Sequence, residues 1–399
     1  MKNLEIAEAR ARMLAQTPRL GAETVAIDQA DGRVLAAPVD AARDQPPFEA
    51  SSMDGWAIRV ADAASRVALE IVGESAAGRG HDGVLRPGQA VRIFTGAPLP
   101  DGADCVVMQE EAIAEGGKVT LGPIDRIDNT RPRGGDFKAG DRLLDAGRRL
   151  DPWRLSLAAA AGCATLDVAR RPRVAVLSTG EELVRAPRQP GPWDIYESGS
   201  VALCALIAAW GGVAERLAVA QDTEASVIAA VDAVEADLIV TIGGASVGDY
   251  DIVKPALTKL GLALVVQTVN IRPGKPTWFG RLDDGRLVLG LPGNPASALV
   301  CAELFLKSVI RHMLGADPHP QFFKARLAAP IGPNGGRVQL MRALLAQADD
   351  GVLTVRPLAQ QDSSLVTVFA QADGLLLRPM NAPAAAAGEM VEVLRLERM

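Results

Sequence analysis

The residue types best suited to chemistry in this chain fall in short glycine-rich stretches. The densest is Gly243-Gly244-Ala245-Ser246-Val247-Gly248-Asp249-Tyr250-Asp251. Gly243, Gly244 and Gly248, with Ser246, allow backbone N–H groups to turn toward a phosphate, and a helix start behind them adds positive partial charge. On that basis Gly244→Val should block nucleotide binding more than it unfolds the chain. Arg272 and Lys275, in Arg272-Pro273-Gly274-Lys275-Pro276, suit phosphate or another oxyanion. Ser178-Thr179-Gly180-Glu181-Glu182, Gln221-Asp222 and Pro292-Gly293-Asn294-Pro295 add acids and tight turns. Glu182, Asp222 and Asp251 together would hold one divalent cation, most naturally magnesium. Carboxylates beside phosphate make sense when a metal bridges them.

These stretches share a position. Each follows a short apolar run: 173–177, 216–219, 238–242, 262–269 and 287–291. Helical patterns at 201–210, 224–234, 252–260 and 296–314 alternate with them. The helix at 201–210 is expected to be capped by Ser198 or Ser200. Such alternation predicts a mainly parallel sheet with helices on both faces. Ligands of open parallel sheets bind beyond the C-terminal strand ends, so the stretches converge on one rim.

The flanking segments read differently. An amphipathic helix spans about 4–17 and an alanine-rich helix 152–164. The second is expected to rejoin the first, making the region between them an insertion. That region is broken by Gly every few residues from 67 to 144 and reads as a small β domain. After Pro318, runs at 323–327, 338–345, 352–355, 366–369, 375–377 and 390–394 predict a small C-terminal β barrel or sandwich. The alanine run 384–387 is expected to be loop.

Composition narrows the function. The chain has 399 residues, 48% of them hydrophobic, and a net charge of -6, so two to four domains are expected and nucleic acid is not the expected partner. Cys105, Cys163, Cys204 and Cys301 form no CxxC pair, which argues against a zinc site or a disulfide framework and fits a reducing compartment such as the cytoplasm. No apolar run reaches the length of a membrane span. His81, His312 and His319 avoid the strand-end loops, which leaves little for a Ser-His-Asp mechanism. Neither a G-x-x-x-x-G-K-[ST] stretch nor a G-x-G-x-x-G after the first strand occurs, against a kinase or a nicotinamide dehydrogenase.

The ordered set Ser-Thr-Gly-Glu-Glu-Leu, Gly-Gly-x-Ser-Val-Gly-x-x-Asp, Arg-Pro-Gly-Lys-Pro and Leu-Pro-Gly-Asn-Pro resembles the molybdopterin molybdenumtransferases, the MoeA and gephyrin E-domain family. Ser-Met-Asp-Gly-Trp-Ala, Thr-Gly-Ala-Pro-Leu-Pro and an Arg-Gly-x-Asp loop upstream extend the resemblance over essentially the whole chain. It implies insertion of molybdate into the dithiolene of adenylylated molybdopterin, with a divalent cation such as Mg2+ and release of AMP. It implies an α/β multidomain fold: an elongated N-terminal region (1–45 plus 145–171), an inserted β domain (46–144), a molybdopterin-binding α/β domain (172–317) and a C-terminal β barrel (318–399). It also implies an elongated homodimer with shared active sites, and contact with the molybdopterin adenylyltransferase. By the same resemblance the functional acids fall on Asp54, Asp136, Glu182, Asp222 and Asp251, and the functional threonine on Thr95. The flanking prolines are Pro292 and Pro295. Ser178, Thr179 and Gly180, with Gly293 and Asn294, complete the expected cofactor-binding set.

There are departures. The family's usual Asp-Asn-Ser-Ala is Glu49-Ala50-Ser51-Ser52, its Tyr after Asp-Gly is Trp56, its Lys before Pro-Gly-Lys-Pro is Arg272, and its Tyr-Asp-Ser/Thr-Asn is Tyr196-Glu197-Ser198-Gly199. A paralogue for a related oxyanion such as tungstate, or a scaffold that binds the cofactor without turnover, is the alternative reading. Intact acids at the family positions favour the enzyme.

Overall fold

The computed structural model describes residues 2–63, 66, 68–124, 128–244 and 252–396. Helix α1 (Ile6–Gln16) is followed by strand β1 (Ala22–Ala26), which pairs antiparallel with β2 (Thr165–Ala169). The chain thus leaves and rejoins this ribbon, as an insertion requires, but through strands. The helix at Pro152–Ala160 ends before β2, a strand the helical pattern concealed. Instead of meeting that helix, α1 packs on the α/β region: Ala9 and Met13 are fully buried in the same core as Val240, Phe305 and Val309.

Between β1 and β2 lies a six-stranded sheet in the order Cys105–Met108, Gly55–Ile58, Gln89–Ile93, Ala68–Ser75, Lys118–Leu121, Ala112–Glu115. Trp56, Ile58, Leu69 and Val107 fill its core. Trp56 is therefore a strand residue, while Phe48 and Met53 on the approaching loop stay exposed.

The central α/β sheet is built from the apolar runs. Its elements in chain order are β3 (Arg173–Ser178), the small ribbon β4 (Leu183–Val184) and β5 (Ile195–Tyr196), α2 (Gly199–Ala209), β6 (Val213–Arg216), α3 (Glu224–Asp232) and β7 (Leu238–Ile242). There follow α4 (Val253–Thr258), β8 (Ala263–Val266), β9 (Ile271–Arg272), β10 (Trp278–Arg281), β11 (Leu287–Leu291) and α5 (Pro295–Cys301). The strand order is β6-β3-β7-β11-β10-β8. The first four are parallel, and all five residues of both β7 and β11 are buried, as strands covered on both faces must be. The sheet is mixed rather than wholly parallel, because β10 turns back on β11 and β8 on β10. β10 is joined to β11 by only a five-residue loop (282–286), too short for the crossover a parallel neighbour needs. The last helix runs on from α5 through a π-turn at Ala302–Leu306 to Met313.

Five C-terminal strands close into a barrel. Val338–Gln347 pairs with both Leu353–Pro357 and Gly374–Arg378, and the circuit returns through Met390–Arg395 and Phe322–Leu327. Strand β9 adds to this barrel, with Arg272 paired to Gln339. The run 366–369 is not a strand. Val366–Gln371 forms a short helix whose Val368 is buried, because the barrel circuit closes without it and the segment caps the join to α5. The alanine run 384–387 is loop, as expected. No helix among the described residues is long and apolar enough to cross a membrane.

Gly290 of β11 lies opposite Trp278 of β10. A methyl group on Gly290 would come within 2.0 Å of the Trp278 ring, which is wholly buried. Gly290→Ala is therefore expected to lower unfolding free energy by about 1–3 kcal/mol through overpacking. Urea denaturation of the purified variant checks this, and an unchanged midpoint would refute it.

Candidate active-site cleft

The three inner parallel strands end level: Ser178 pairs with Ile242, and Ile242 with Leu291. The loops that follow them therefore start side by side. With the loops at 220–222 and 272–276 and one side of the barrel, they enclose a cleft of about 950 Å³. Its lining includes Ser178, Thr179, Gly180, Glu182, Asp222, Gly243, Gly244, Arg272, Lys275, Pro292, Gly293, Asn294 and Pro295. The sequence-predicted rim is thus brought together. Ser246, Gly248 and Asp251 lie outside the described residues.

The floor is set by glycine geometry. Gly243 has φ of +90°, and a methyl there would sit 2.8 Å from the Thr179 carbonyl oxygen. Gly244 has φ of +59°, and a methyl there would meet a Val253 methyl of α4 at 2.3 Å. This corrects the expectation for Gly244→Val. A side chain at 244 collides with the helix packed behind the loop, so that substitution would damage the fold as well as the anion's space. The Thr179 hydroxyl, buried between these two glycines, has no hydrogen-bond partner among the described residues. A buried unpaired hydroxyl costs free energy that a ligand oxygen would recover.

Asp222 is not the cap of α3. Thr223 takes that role, accepting from Ser226 N–H at 3.2 Å. Asp222 instead accepts from the Glu181 backbone N–H at 3.3 Å, which ties it to the loop carrying Glu182. Glu182 and Asp222, both exposed in the cleft lining, therefore come from adjoining loops. No group of three metal-ligating side chains occurs among the described residues. The lining has carboxylates (Glu182, Glu197, Asp222 and Asp362) but no histidine or cysteine, and oxygen donors of this kind suit a hard cation.

Behind this wall sits Glu197. Its carboxylate accepts from Ser178 Oγ (3.1 Å), Ser200 N (2.7 Å), Ser200 Oγ (2.5 Å) and Arg216 (2.5 Å). Glu197, rather than Ser198 or Ser200, thus satisfies the start of α2. Burial pushes its pKa up, but the bonds from Ser200, Arg216 and Ser178 outweigh this and hold it below the usual glutamate value of 4.5.

The barrel supplies a cationic side that strand-end reasoning missed. Arg337, Gln339, Arg342 and Ser363 line the cleft. Arg342 is 1% exposed, donates to the Asp362 carbonyl at 2.9 Å, and its Nε has no partner among the described residues. An arginine amid the apolar residues of 338–345 was the available signal. Asn294 donates to Ser363 Oγ at 2.8 Å, clasping the Pro292–Pro295 turn to the barrel.

The remaining predicted residues lie elsewhere. Asp54 and Thr95 meet each other in the inserted domain: Asp54 Oδ1 accepts from Thr95 N at 2.8 Å and Thr95 Oγ1 at 2.9 Å. These bonds, backbone first, hold the Asp54 carboxyl below the usual carboxylate range, with a smaller push from Arg92. Asp136 is in a loop pinned to Gln45. None of the three lines this chain's cleft.

Comparison with known proteins matches three family models in order. These are the MoeA N-terminal region (domains I and II) at residues 4–162, a probable molybdopterin binding domain at 175–312, and the MoeA C-terminal region (domain IV) at 324–396. A molybdopterin molybdenumtransferase of Nostoc sp. is 34% identical over 94% of this chain and 88% of its own length. The chain belongs to the MoeA family of molybdopterin molybdenumtransferases. A second family member, molybdopterin molybdenumtransferase 2 of Mycobacterium tuberculosis, is 37% identical over 93% of this chain and 94% of its own. A crystal structure of a MoeA protein from Pyrococcus horikoshii superposes with a TM-score of 0.85 and 30% identity over the full length of both chains. The MoeA fold is therefore shared across all the layers described.

The hydrogen-bond network of Glu197 gives a pH prediction. Its lowered pKa means it stabilises the fold above 4.5, and that contribution is lost as pH falls through the lowered value. At pH 7, Glu197→Gln should cost about 1–3 kcal/mol, the worth of charge-assisted bonds to a buried carboxylate. The gap between wild type and variant in urea midpoint should narrow as pH drops below 4.5. A gap that is constant with pH would contradict this.

Proposed function

We propose that this chain inserts molybdate into the dithiolene of adenylylated molybdopterin and releases AMP, the final step of molybdenum cofactor assembly. One observation carries the reading. A single cleft gathers exposed carboxylates (Glu182, Asp222) from the strand-end loops, and arginines and a lysine (Arg272, Lys275, Arg337, Arg342) from the barrel and the loop joined to it, over a positive-φ glycine floor. A phosphoanhydride with its cation and a separate oxyanion need that combination of charges.

The residues divide the work accordingly. Gly243 and Gly244 present backbone N–H groups to the phosphates, Ser246 and Gly248 are assigned to the same binding role, and the Thr179 hydroxyl donates to one of the phosphate oxygens. Lys275 neutralises the same group. Glu182, Asp222 and Asp251 would hold Mg2+, which supplies charge stabilisation at the phosphoanhydride when bound. Arg342 and Arg272 hold the molybdate, the first through its unpaired buried Nε donor. Pro292, Gly293, Asn294 and Pro295 fix the cleft wall against the barrel. Asp54 and Thr95, which one chain keeps away from its own cleft, complete the site of the partner in a homodimer, with Asp136 in the same arm. The division into an N-terminal region (1–45 plus 145–171), an inserted domain, an α/β domain and a barrel follows this arrangement. The adenylylated pterin arrives from its adenylyltransferase in the cytoplasm.

The test is anaerobic incubation of purified protein with adenylylated molybdopterin, Mg2+ and molybdate or tungstate, followed by AMP detection. AMP release stimulated by molybdate supports the transferase. Release indifferent to any oxyanion would reduce the protein to a hydrolase, and release driven only by tungstate would reassign the cargo. In the same assay Asp251→Asn should fold normally and lose most turnover. Unchanged turnover and cation dependence would remove Asp251 from the site.

A further inference from the structure

The cleft has an apolar wall that the roles above leave unused. It is the β4–β5 ribbon, in which Leu183 pairs with Ile195 and Val184 with Tyr196. Leu183, Ile195 and Tyr196 all line the cleft. Ile195 is 57% and Tyr196 48% exposed, so neither side chain is spent on the core. Large apolar groups held open to water inside a ligand cleft gain free energy only when something covers them.

The ribbon is firmly backed. Ile195 N–H donates to the Glu182 carbonyl at 2.7 Å, and Glu197 N–H to the Val184 carbonyl at 2.8 Å. The Glu197 carboxylate, bound to Ser178, Ser200 and Arg216, fixes the chain directly after Tyr196. The wall therefore keeps its position with or without a ligand, which lowers the ordering cost of binding. It offers an aromatic face and aliphatic flanks but no cation, so a phosphate or oxyanion gains nothing there. Flat heteroaromatic rings do, by stacking.

The transferase reading supplies two such rings, adenine and pterin, and the present step rests on that reading. We infer that the β4–β5 ribbon is a ring-stacking subsite, in which Tyr196 packs against one of the substrate's bicyclic rings. The ribbon is hydrogen-bonded to Glu182, which puts that ring near this carboxylate.

Calorimetric titration of the full chain tests this with three probes: AMP, a free pterin such as neopterin, and inorganic pyrophosphate. Tyr196→Ala should weaken binding of one ring probe by about tenfold. Tyr196→Phe should restore it to within about twofold, because the ring and not the hydroxyl is used. Pyrophosphate affinity should be the same in all three proteins. The arm that responds, AMP or pterin, names the ring. Unchanged affinity of Tyr196→Ala for both rings overturns the subsite, as does equal loss in Tyr196→Phe, equal loss for pyrophosphate, or a wild type that binds neither ring. Molybdate-stimulated AMP release by the wild type is measured alongside. If it is present while Tyr196→Ala binds both rings normally, the subsite fails and the transferase reading stands. If it is absent, the transferase reading fails on its own.

Discussion

The level alignment of β3, β7 and β11 governs everything that happens at the cleft. Parallel strands in one register deliver their C-terminal ends to one height, and here Ser178, Ile242 and Leu291 share it. Three loops with no sequence neighbourhood therefore begin within a strand spacing of each other. A slip of one residue would exchange the side chains packed on the two covered faces of β7 and β11, so the apolar packing that stabilises the sheet also fixes the geometry of the site. The antiparallel edge, β10 and β8, closes the sheet, and Trp278 against Gly290 locks that edge to β11.

The α/β rim was legible in the sequence because its signals are local. A fully apolar five-residue run such as 238–242 specifies a buried strand, and Gly243 and Gly244 mark the turn after it. The closed barrel was legible from the spacing of short runs, except for 366–369, where Val-Thr-Val satisfies a strand pattern and the tertiary context demands a helix. What the sequence withheld depends on distant partners. Nothing local says that α1 packs on the α/β core instead of the neighbouring 152–160 helix, or that β9 joins the barrel. The cationic side of the site was hidden for the same reason. Arg342 reaches the cleft only because the barrel is clasped to the Pro292–Pro295 turn through Asn294 and Ser363.

The cleft is balanced rather than simply basic. The exposed acids could not hold an anionic substrate by themselves, and the buried Nε of Arg342, without a partner among the described residues, carries a cost. Each makes sense with a ligand between them whose phosphates face the glycine floor. The chain has a net charge of -6, so this local arrangement of charge, not a general attraction, selects an anionic small molecule.

We propose that the cleft is half of a site, with Asp54 and Thr95 arriving from a second copy. Their mutual hydrogen bonds hold a low-pKa carboxylate at an exposed surface that does nothing for the inserted domain's own core. Phe48 and Met53 stand exposed on the same approach, as a contact surface would. The direct measurement is turnover by mixed dimers made by co-expressing Asp54→Ala and Asp251→Ala chains, each inactive when pure. With shared sites, one of the two sites in every mixed dimer escapes both lesions, and random pairing returns about a quarter of wild-type activity. Zero recovery from well-folded mixed dimers would mean that each site is built from one chain, and would contradict the account.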